Sequence, residues 1–301
     1  MCGCHEVGWE IIEFLLKRGI AFSYFVTLTE EKARQQNVSG YKRFDDLAAA
    51  YHIPVYYARK YSLQSQEDLE FFEQNRFDLL IQGGWQRLFP EAILNTLSIG
   101  AVGGHGSAEF LPKGRGRSPL NWSLIEGQKR FILQYFLMTP NADDGNVFHY
   151  EFFDITEWDD IRTLYYKNAL VTARVLLQWI PRLLSGNFTS VPQTGEPTYY
   201  PKRSPEDGLI NWNQNPLQIY NLVRALTRPY PGAFTLLNKE KVYIWKAQPF
   251  DFKIDDPAWR IGEIVKVFHT GDFVVKCFGG TLLVTDYTSP SAEIKEGILF
   301  E

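Results

Sequence analysis

Ile99-Gly100-Ala101-Val102-Gly103-Gly104-His105-Gly106-Ser107 is the stretch on which the reading of this chain turns. Ile99 to Gly103 is apolar, too short for a helix and closed by glycine, so it reads as a buried strand that delivers His105 at its exit. Upstream, Phe77-Asp78-Leu79-Leu80-Ile81-Gln82 is a second such strand, stopping at Gly83-Gly84. A short helix from Pro90 to Leu97, with proline in its first turn, joins the two. Further upstream, the strands Ile20 to Leu28 and Ile53 to Tyr57 alternate with helical patterns over Phe44 to Tyr51 and Leu69 to Asn75. Val7, Ile11, Ile12, Phe14 and Leu15 form one face of a first helix that ends at Gly19. Alternation of this kind predicts an α/β domain built on a mostly parallel, Rossmann-like sheet. A doubly wound domain opens on a strand, yet only Met1 to Cys4 precede the helix that starts near His5. The first strand is therefore expected to be short or missing.

Downstream, Arg130 to Met138 and Val147 to Phe153 read as partnered strands. Ile161 to Leu184 is a long helix with Leu164, Tyr165, Ala169, Ala173, Leu176, Leu177 and Ile180 on one face. Pro181 is expected to kink or shorten its end. Asn187 to Asn213 is polar and rich in Pro, Gly, Thr and Ser, which reads as a linker. A helix from Pro216 to Leu226 follows. Five short apolar runs come next: Phe234 to Leu237, Lys241 to Ala247, Gly262 to His269, Phe273 to Phe278 and Thr281 to Tyr287. Tight turns at Asn238, Gly271 and Gly279-Gly280 make this a small β module, a partly open barrel. The expected organisation is an α/β domain over residues 1–186, a linker over 187–213 and a β-barrel domain over 214–301.

The chain has 301 residues, 45% of them hydrophobic and 22% charged, enough apolar material for a real core and too evenly mixed for wholesale disorder. A formal net charge of −4 argues against a large nucleic-acid footprint, which needs a basic face. Three cysteines give no disulfide framework. Cys2, Cys4 and His5 lack a second ligand cluster, so no metal is expected. No apolar run approaches a membrane span and no signal peptide is visible, so the expected location is cytoplasmic. A homodimer is compatible with the sequence.

Several side chains carry chemistry. A histidine at the end of a buried strand, set among glycines that let a ligand approach, suits proton transfer. Arg115 and Arg117, in the loop that follows, suit an anionic substrate through forked hydrogen bonds. Asp143, before Asp144-Gly145, reads as a turn; if it reaches His105 it holds the imidazole in one tautomer. Trp85, Leu88 and Phe89 follow Gly83-Gly84 and read either as core or as the lining of a slot for a flat ring.

Taken together these residues resemble the folate-dependent formyltransferase family, which includes methionyl-tRNA formyltransferase and enzymes that formylate nucleotide-linked aminosugars. The N-x-H, L-P-x-x-R-G and D-x-G motifs of that family correspond to Gly103-Gly104-His105, Leu111-Pro112-Lys113-Gly114-Arg115-Gly116 and Asp143-Asp144-Gly145. Pro119-Leu120-Asn121-Trp122 and Ile125-Glu126-Gly127 fit as well. So do Ser204 to Trp212, Asn221 to Ala225, and Pro229 to Thr235, which resemble the sugar branch most, notably the domain that formylates UDP-aminoarabinose. The resemblance implies a Rossmann-like domain followed by an OB-like barrel. It also implies transfer of a formyl group from 10-formyltetrahydrofolate, with no metal, to the primary amine of a small acceptor, a nucleotide-linked aminosugar. His105 and Asp143 would be catalytic. Trp85, Leu88, Leu111, Pro112 and Arg115 would hold the folate, and Ser107, Arg117 and Asn121 would face the acceptor. Methionyl-tRNA formylation, or a degenerate relative that binds folate or a nucleotide without turnover, are the other readings. Two departures stand out. The asparagine of the family is Gly103, which removes an amide donor for an oxyanion. The stretch Ser107 to Pro112 is longer than usual, so the loop is expected to bulge and could bring Glu109 into the pocket.

Overall fold

Four strands, β1 (Phe25–Thr27), β2 (Val55–Tyr57), β3 (Leu79–Ile81) and β4 (Gly100–Ser107), alternate with helices in the first third of the molecule. The computed structural model describes all residues except Ser39, Pro290, Ser291 and Ala292. β1 lies parallel to β2, and β3 parallel to β4. Cys2 joins the two pairs through parallel bridges to Val26 and to Gln82. Its backbone N–H donates to Ile81 O at 2.9 Å, and Gly83 N–H donates to Cys2 O at 2.8 Å. The expected first strand is thus present as a very short central element.

After β5 (Arg115–Gly116) the sheet is extended by β6 (Arg130–Leu137) and β7 (Val147–Asp154), both antiparallel to their neighbours, in the order β3-β4-β6-β7. β8 (Tyr199–Tyr200) pairs with β5 in a separate two-stranded ladder. β1 is buried throughout and β3 nearly so, which is why they lie in apolar runs, whereas β2 is half-buried with Tyr57 exposed.

The first helix, Glu6–Leu16, starts where His5 Nδ1 accepts the Val7 N–H at 3.2 Å. The imidazole therefore serves as an N-cap. Ile11, Ile12, Leu15 and Leu16 are its buried face. This helix approaches the end of β3 so closely that a Cβ on Gly8 would stand 1.8 Å from Gly83 O, so no larger residue fits there. Cys2, Cys4 and Cys277 are buried free thiols, and burial pushes Cys4 up to about 11. The helix Ile161–Leu184 runs unshortened through Pro181. That ring lies in the last turn, so the one ladder bond it forgoes, to the Leu177 carbonyl, falls where only three helical residues follow.

The chain divides into two compact units, the first made of Met1–Gly116, Arg130–Asp154 and Tyr165–Tyr199, the second of Arg117–Lys129, Ile155–Leu164 and Tyr200–Glu301. In the second unit the helix Pro216–Leu226 begins with a capping box, Asn215 and Gln218, and with proline in its first turn. Its Arg224 is buried, donating through Nη1 to Thr156 O at 2.8 Å and Asp159 O at 3.1 Å, and through Nε to Asn221 Oδ1 at 2.9 Å. These bonds tie residues near 156–159 to the helix. The β module comprises β9 (Ala233–Leu237), β10 (Glu240–Asp251), β11 (Ile264–Val267), β12 (Phe273–Cys277) and β13 (Gly280–Thr288). They form one antiparallel sheet in the order β11-β12-β13-β10-β9. Among the described residues that sheet is open, with β11 and β9 at its edges. No helix among them is long and apolar enough to cross a membrane.

Candidate active site

β4 does not end before His105 but carries it, since the strand runs on to Ser107 through antiparallel pairing with β6. The apolar pattern stops at Gly103, but the ladder continues because glycines and a buried histidine still pair their backbones. His105 lies opposite Gln134, the one polar residue inside the apolar run of β6. Gln134 is buried; its Oε1 accepts Leu111 N–H at 3.0 Å and its Nε2 donates to Glu109 O at 3.4 Å. It thereby pins the loop that leaves β4.

The histidine is buried and both ring nitrogens are engaged. Nδ1 stands 3.3 Å from Asp143 Oδ2, and Nε2 stands 2.8 Å from Gly114 O. A carbonyl oxygen can only accept, and so can an ionised carboxylate. Two acceptors facing one imidazole require either an imidazolium beside a carboxylate, or a neutral ring whose Nδ1 accepts from a protonated Asp143. The pair holds one mobile proton in either form. Gly114 has φ 70, a conformation glycine adopts without strain, and the turn it makes aims its carbonyl at the ring. Asp143 has φ 53, the left-handed region that aspartate tolerates better than most residues. The neighbouring Asp144 faces away, bonded to Thr139 Oγ1 and, at 2.8 Å, to Asn141 Nδ2.

Arg115 is buried. Its Nη2 donates to Gln193 Oε1 at 2.6 Å and its Nη1 to Tyr199 Oη at 3.4 Å, while Nε has no partner among the described residues. Gln193 Nε2 in turn donates to Asp143 O at 2.7 Å and Gly145 O at 2.9 Å. Gln193 lies in the polar stretch read as a linker, and nothing in that composition marks it. Gln134 did leave a signal, a single amide in an apolar strand.

The other expected residues are placed as follows. Trp85 is buried in the core, edge-on to Tyr61 with ring centroids 4.8 Å apart, and its Nε1 has no partner among the described residues. Leu88, after it, is 53% exposed. Leu111 and Pro112, joined by a cis peptide, are buried in the loop that follows β4. Phe110 beside them is 52% exposed and meets Tyr150 edge-on. Ser107 is buried, and its hydroxyl donates to Glu109 O at 2.6 Å, so it serves the bulge of the loop. The Glu109 carboxylate is turned to solvent and lies 3.5 Å from Lys113 Nζ. Arg117 and Asn121 belong to the second unit. Arg117 is exposed. Asn121 is buried, with Nδ2 donating to Ala225 O at 2.7 Å and Oδ1 unpartnered among the described residues. It lines a cavity of about 120 Å³ with Ser118, Arg203, Ser204, Tyr230 and Gly232.

At Gly103 a Cβ would stand 2.9 Å from Met138 Cγ and 3.0 Å from Phe136 Cε2. The space an asparagine side chain would need there is filled by Met138.

Comparison with known proteins finds family models, a curated relative and solved structures to which the chain is similar. The formyl transferase family matches residues 16–180, and the formyl transferase C-terminal domain matches residues 202–295. The bifunctional polymyxin resistance protein ArnA of Wigglesworthia glossinidia brevipalpis is 31% identical over 245 residues, covering 81% of this chain and 36% of that protein. The chain thus spans about a third of the length of this curated relative. Among solved structures, the N-formyltransferase from Helicobacter canadensis, in complex with folinic acid and dTDP-3-aminofucose, superposes with a TM-score of 0.63 at 16% identity, covering 95% of this chain and 98% of that one. HypX from Aquifex aeolicus in complex with tetrahydrofolic acid has a TM-score of 0.61 at 18% identity, covering 89% of this chain and 44% of that one. These likenesses establish the fold.

Proposed function

Since this chain belongs to the formyl transferase family, we propose that it moves a formyl group from 10-formyltetrahydrofolate to the primary amine of a nucleotide-linked aminosugar. The observation that carries the reading is the contact of His105 Nδ1 with Asp143 Oδ2 at 3.3 Å. The reaction forms a bond between the amine nitrogen and the formyl carbon and breaks the bond from that carbon to the folate nitrogen. The amine must give up a proton and the departing nitrogen must gain one. A histidine–carboxylate pair that already holds one mobile proton can supply it from Nε2 to the departing nitrogen and then take up the one the amine gives up, so that the pair ends as it began. Asp143 supports the imidazolium that forms when the ring takes up the amine proton. For Nε2 to meet substrate it must release the Gly114 carbonyl, so that bond orients the ring before substrate arrives.

The formyl donor brings a flat pteridine and the activated one-carbon unit. Leu88 and Phe110, both more than half exposed on the loops that follow β3 and β4, offer apolar faces suited to such a ring. Trp85 backs the first of these loops from the core. The sugar branch is favoured by the motif match through Pro229 to Thr235, by the match to ArnA and by the net charge of −4, which suits a small acceptor better than tRNA.

The test is turnover of the purified chain with 10-formyltetrahydrofolate and a panel of UDP- and dTDP-linked aminosugars. The expected result is N-formyl sugar and tetrahydrofolate in equal amounts. His105→Ala and Asp143→Asn should each lower the rate by about a hundredfold or more, with unchanged unfolding curves. Formylation of methionyl-tRNA alone, formate release that needs no amine, or near-parental turnover in either variant would overturn the reading.

A further inference from the structure

We propose that Gln193 is a positioning residue: it couples the loop carrying Gly114 to the turn carrying Asp143 and so sets the geometry of the His105–Asp143 pair. The proposal rests on the reading of that pair as the reacting groups. Four links close a ring. Asp143 Oδ2 meets His105 Nδ1 at 3.3 Å, and His105 Nε2 meets Gly114 O at 2.8 Å. Arg115, next in the chain, donates from Nη2 to Gln193 Oε1 at 2.6 Å, and Gln193 Nε2 returns to Asp143 O at 2.7 Å. A second bond from the same amide nitrogen, to Gly145 O at 2.9 Å, holds the other side of the turn.

The partners fix the orientation of this amide. Two carbonyls demand its NH2 group and a guanidinium demands its oxygen, so both donors and the acceptor are used and no flipped amide satisfies all three. What the ring stabilises needs such support. Asp143 sits in the left-handed region, where an L residue does not rest by default. Arg115 is buried with no other bond under 3 Å from its guanidinium among the described residues.

The neighbours of Gln193 dock on the same two loops. Val191 exchanges backbone bonds of 2.9 Å with Val147, just after the Asp143 turn. Thr198 accepts Gly114 N–H at Oγ1 (2.9 Å) and Arg115 N–H at its carbonyl (3.0 Å). The segment from Val191 to Tyr199 is therefore a strap across both loops, and Gln193 is the side chain in it that touches both.

Gln193→Ala removes all three bonds. Gln193→Glu keeps an acceptor for Arg115 but points oxygen at the two carbonyls, so it reconnects one half of the ring and repels the other. Two readouts are taken: steady-state kinetics, and the NMR pH titration of the His105 imidazole nitrogens in the free protein. We expect kcat to fall about tenfold to a hundredfold in both variants, the scale of a displaced reacting group. KM for donor and acceptor should stay within about threefold. The His105 resonances and their titration should move in both variants. Thr194→Ala, in the next exposed residue of the strap, should leave both readouts at parental values. Parental kcat in either variant, a loss lying wholly in KM, unmoved His105 resonances, or an equal loss in Thr194→Ala would each overturn the proposal. The imidazole titration decides it even if none of the acceptors is turned over, so its failure and that of the functional reading are separable.

Discussion

Gly103 shows how closely the strand ahead of His105 is packed, and a double-mutant cycle with Met138 puts a number on it. Gly103 does not lie in the left-handed region, so its backbone accepts an L side chain and only space opposes one. A Cβ there would meet Met138 Cγ at 2.9 Å, Phe136 Cε2 at 3.0 Å and Met138 Sδ at 3.2 Å, all inside the ordinary carbon contact distance. Overpacking of this kind costs about 1–3 kcal/mol, so Gly103→Ala should destabilise by about 2 kcal/mol. Two of the three crowded atoms belong to Met138. Truncating that side chain should remove most of the penalty and leave the Phe136 contact, so Gly103→Ala should cost about 0.5–1 kcal/mol in a Met138→Ala background. Met138→Ala by itself, at a half-buried site, should cost about 1–2 kcal/mol. The expected coupling is thus about 1 kcal/mol in favour of the double variant, above the error of additivity for independent sites. Urea unfolding of the parent, the two single variants and the double variant measures it. A Gly103→Ala penalty that is the same with and without Met138, or no penalty at all, would refute the packing argument. The cycle also gives access to catalysis: Gly103→Asn with Met138→Ala places an amide two residues before His105, and formyl transfer should then exceed that of Met138→Ala alone.

Two further outcomes concern stability. Burial lowers the His5 imidazole below its ordinary 6.5, so as pH falls through 6.5 the unfolded chain takes up the proton first. The stability contributed by the neutral ring is full above 6.5 and is lost as pH drops toward the folded-state value. His5→Asn keeps a capping side chain without the titration. Its unfolding midpoint should therefore fall less than the parental one between about pH 7.5 and about pH 5, and equal falls would refute this. Asp68 is fully buried, accepting Arg59 N–H at 2.7 Å, Lys60 N–H at 3.0 Å and Tyr56 Oη–H at 2.9 Å. Asp68→Ala strands these donors and should cost about 2–4 kcal/mol. A change below about 0.5 kcal/mol, the range of ordinary surface substitutions, would show that other groups or water satisfy them.

The alternation of strands and helices was legible because parallel strands buried on both faces are written as apolar runs, and Leu79–Ile81 lies inside the run Phe77 to Gln82. The helices Ile161–Leu184 and Pro216–Leu226 match the periodic pattern residue for residue. The helix Pro119–Ile125 was missed: it is short, and its apolar Leu120, Trp122 and Leu124 alternate with Asn121 and Ser123 instead of following a helical period. β4 outran its reading because glycine has no side chain to report that its backbone is paired. In the site, His105 and Asp143 could be named as candidates from residue type and motif. That Asp144 turns away to Thr139 and Asn141 could not, since two adjacent aspartates look alike until the turn is built.

The sequence by itself determined the alternation of the main strands and helices, the β module at the C-terminal end and the residues able to move a proton. These follow from periodicity, turn chemistry and side-chain type, all local properties of the chain. Only the tertiary structure decided that His105 lies between two acceptors, that Met138 fills the space beside Gly103, and that Gln193 ties the site together. The last is a contact between groups 50 and 78 residues apart in sequence. Hydrogen bonds act over about 3 Å, and which distant groups come within that reach is set by how the sheet and its loops pack, which no local pattern encodes.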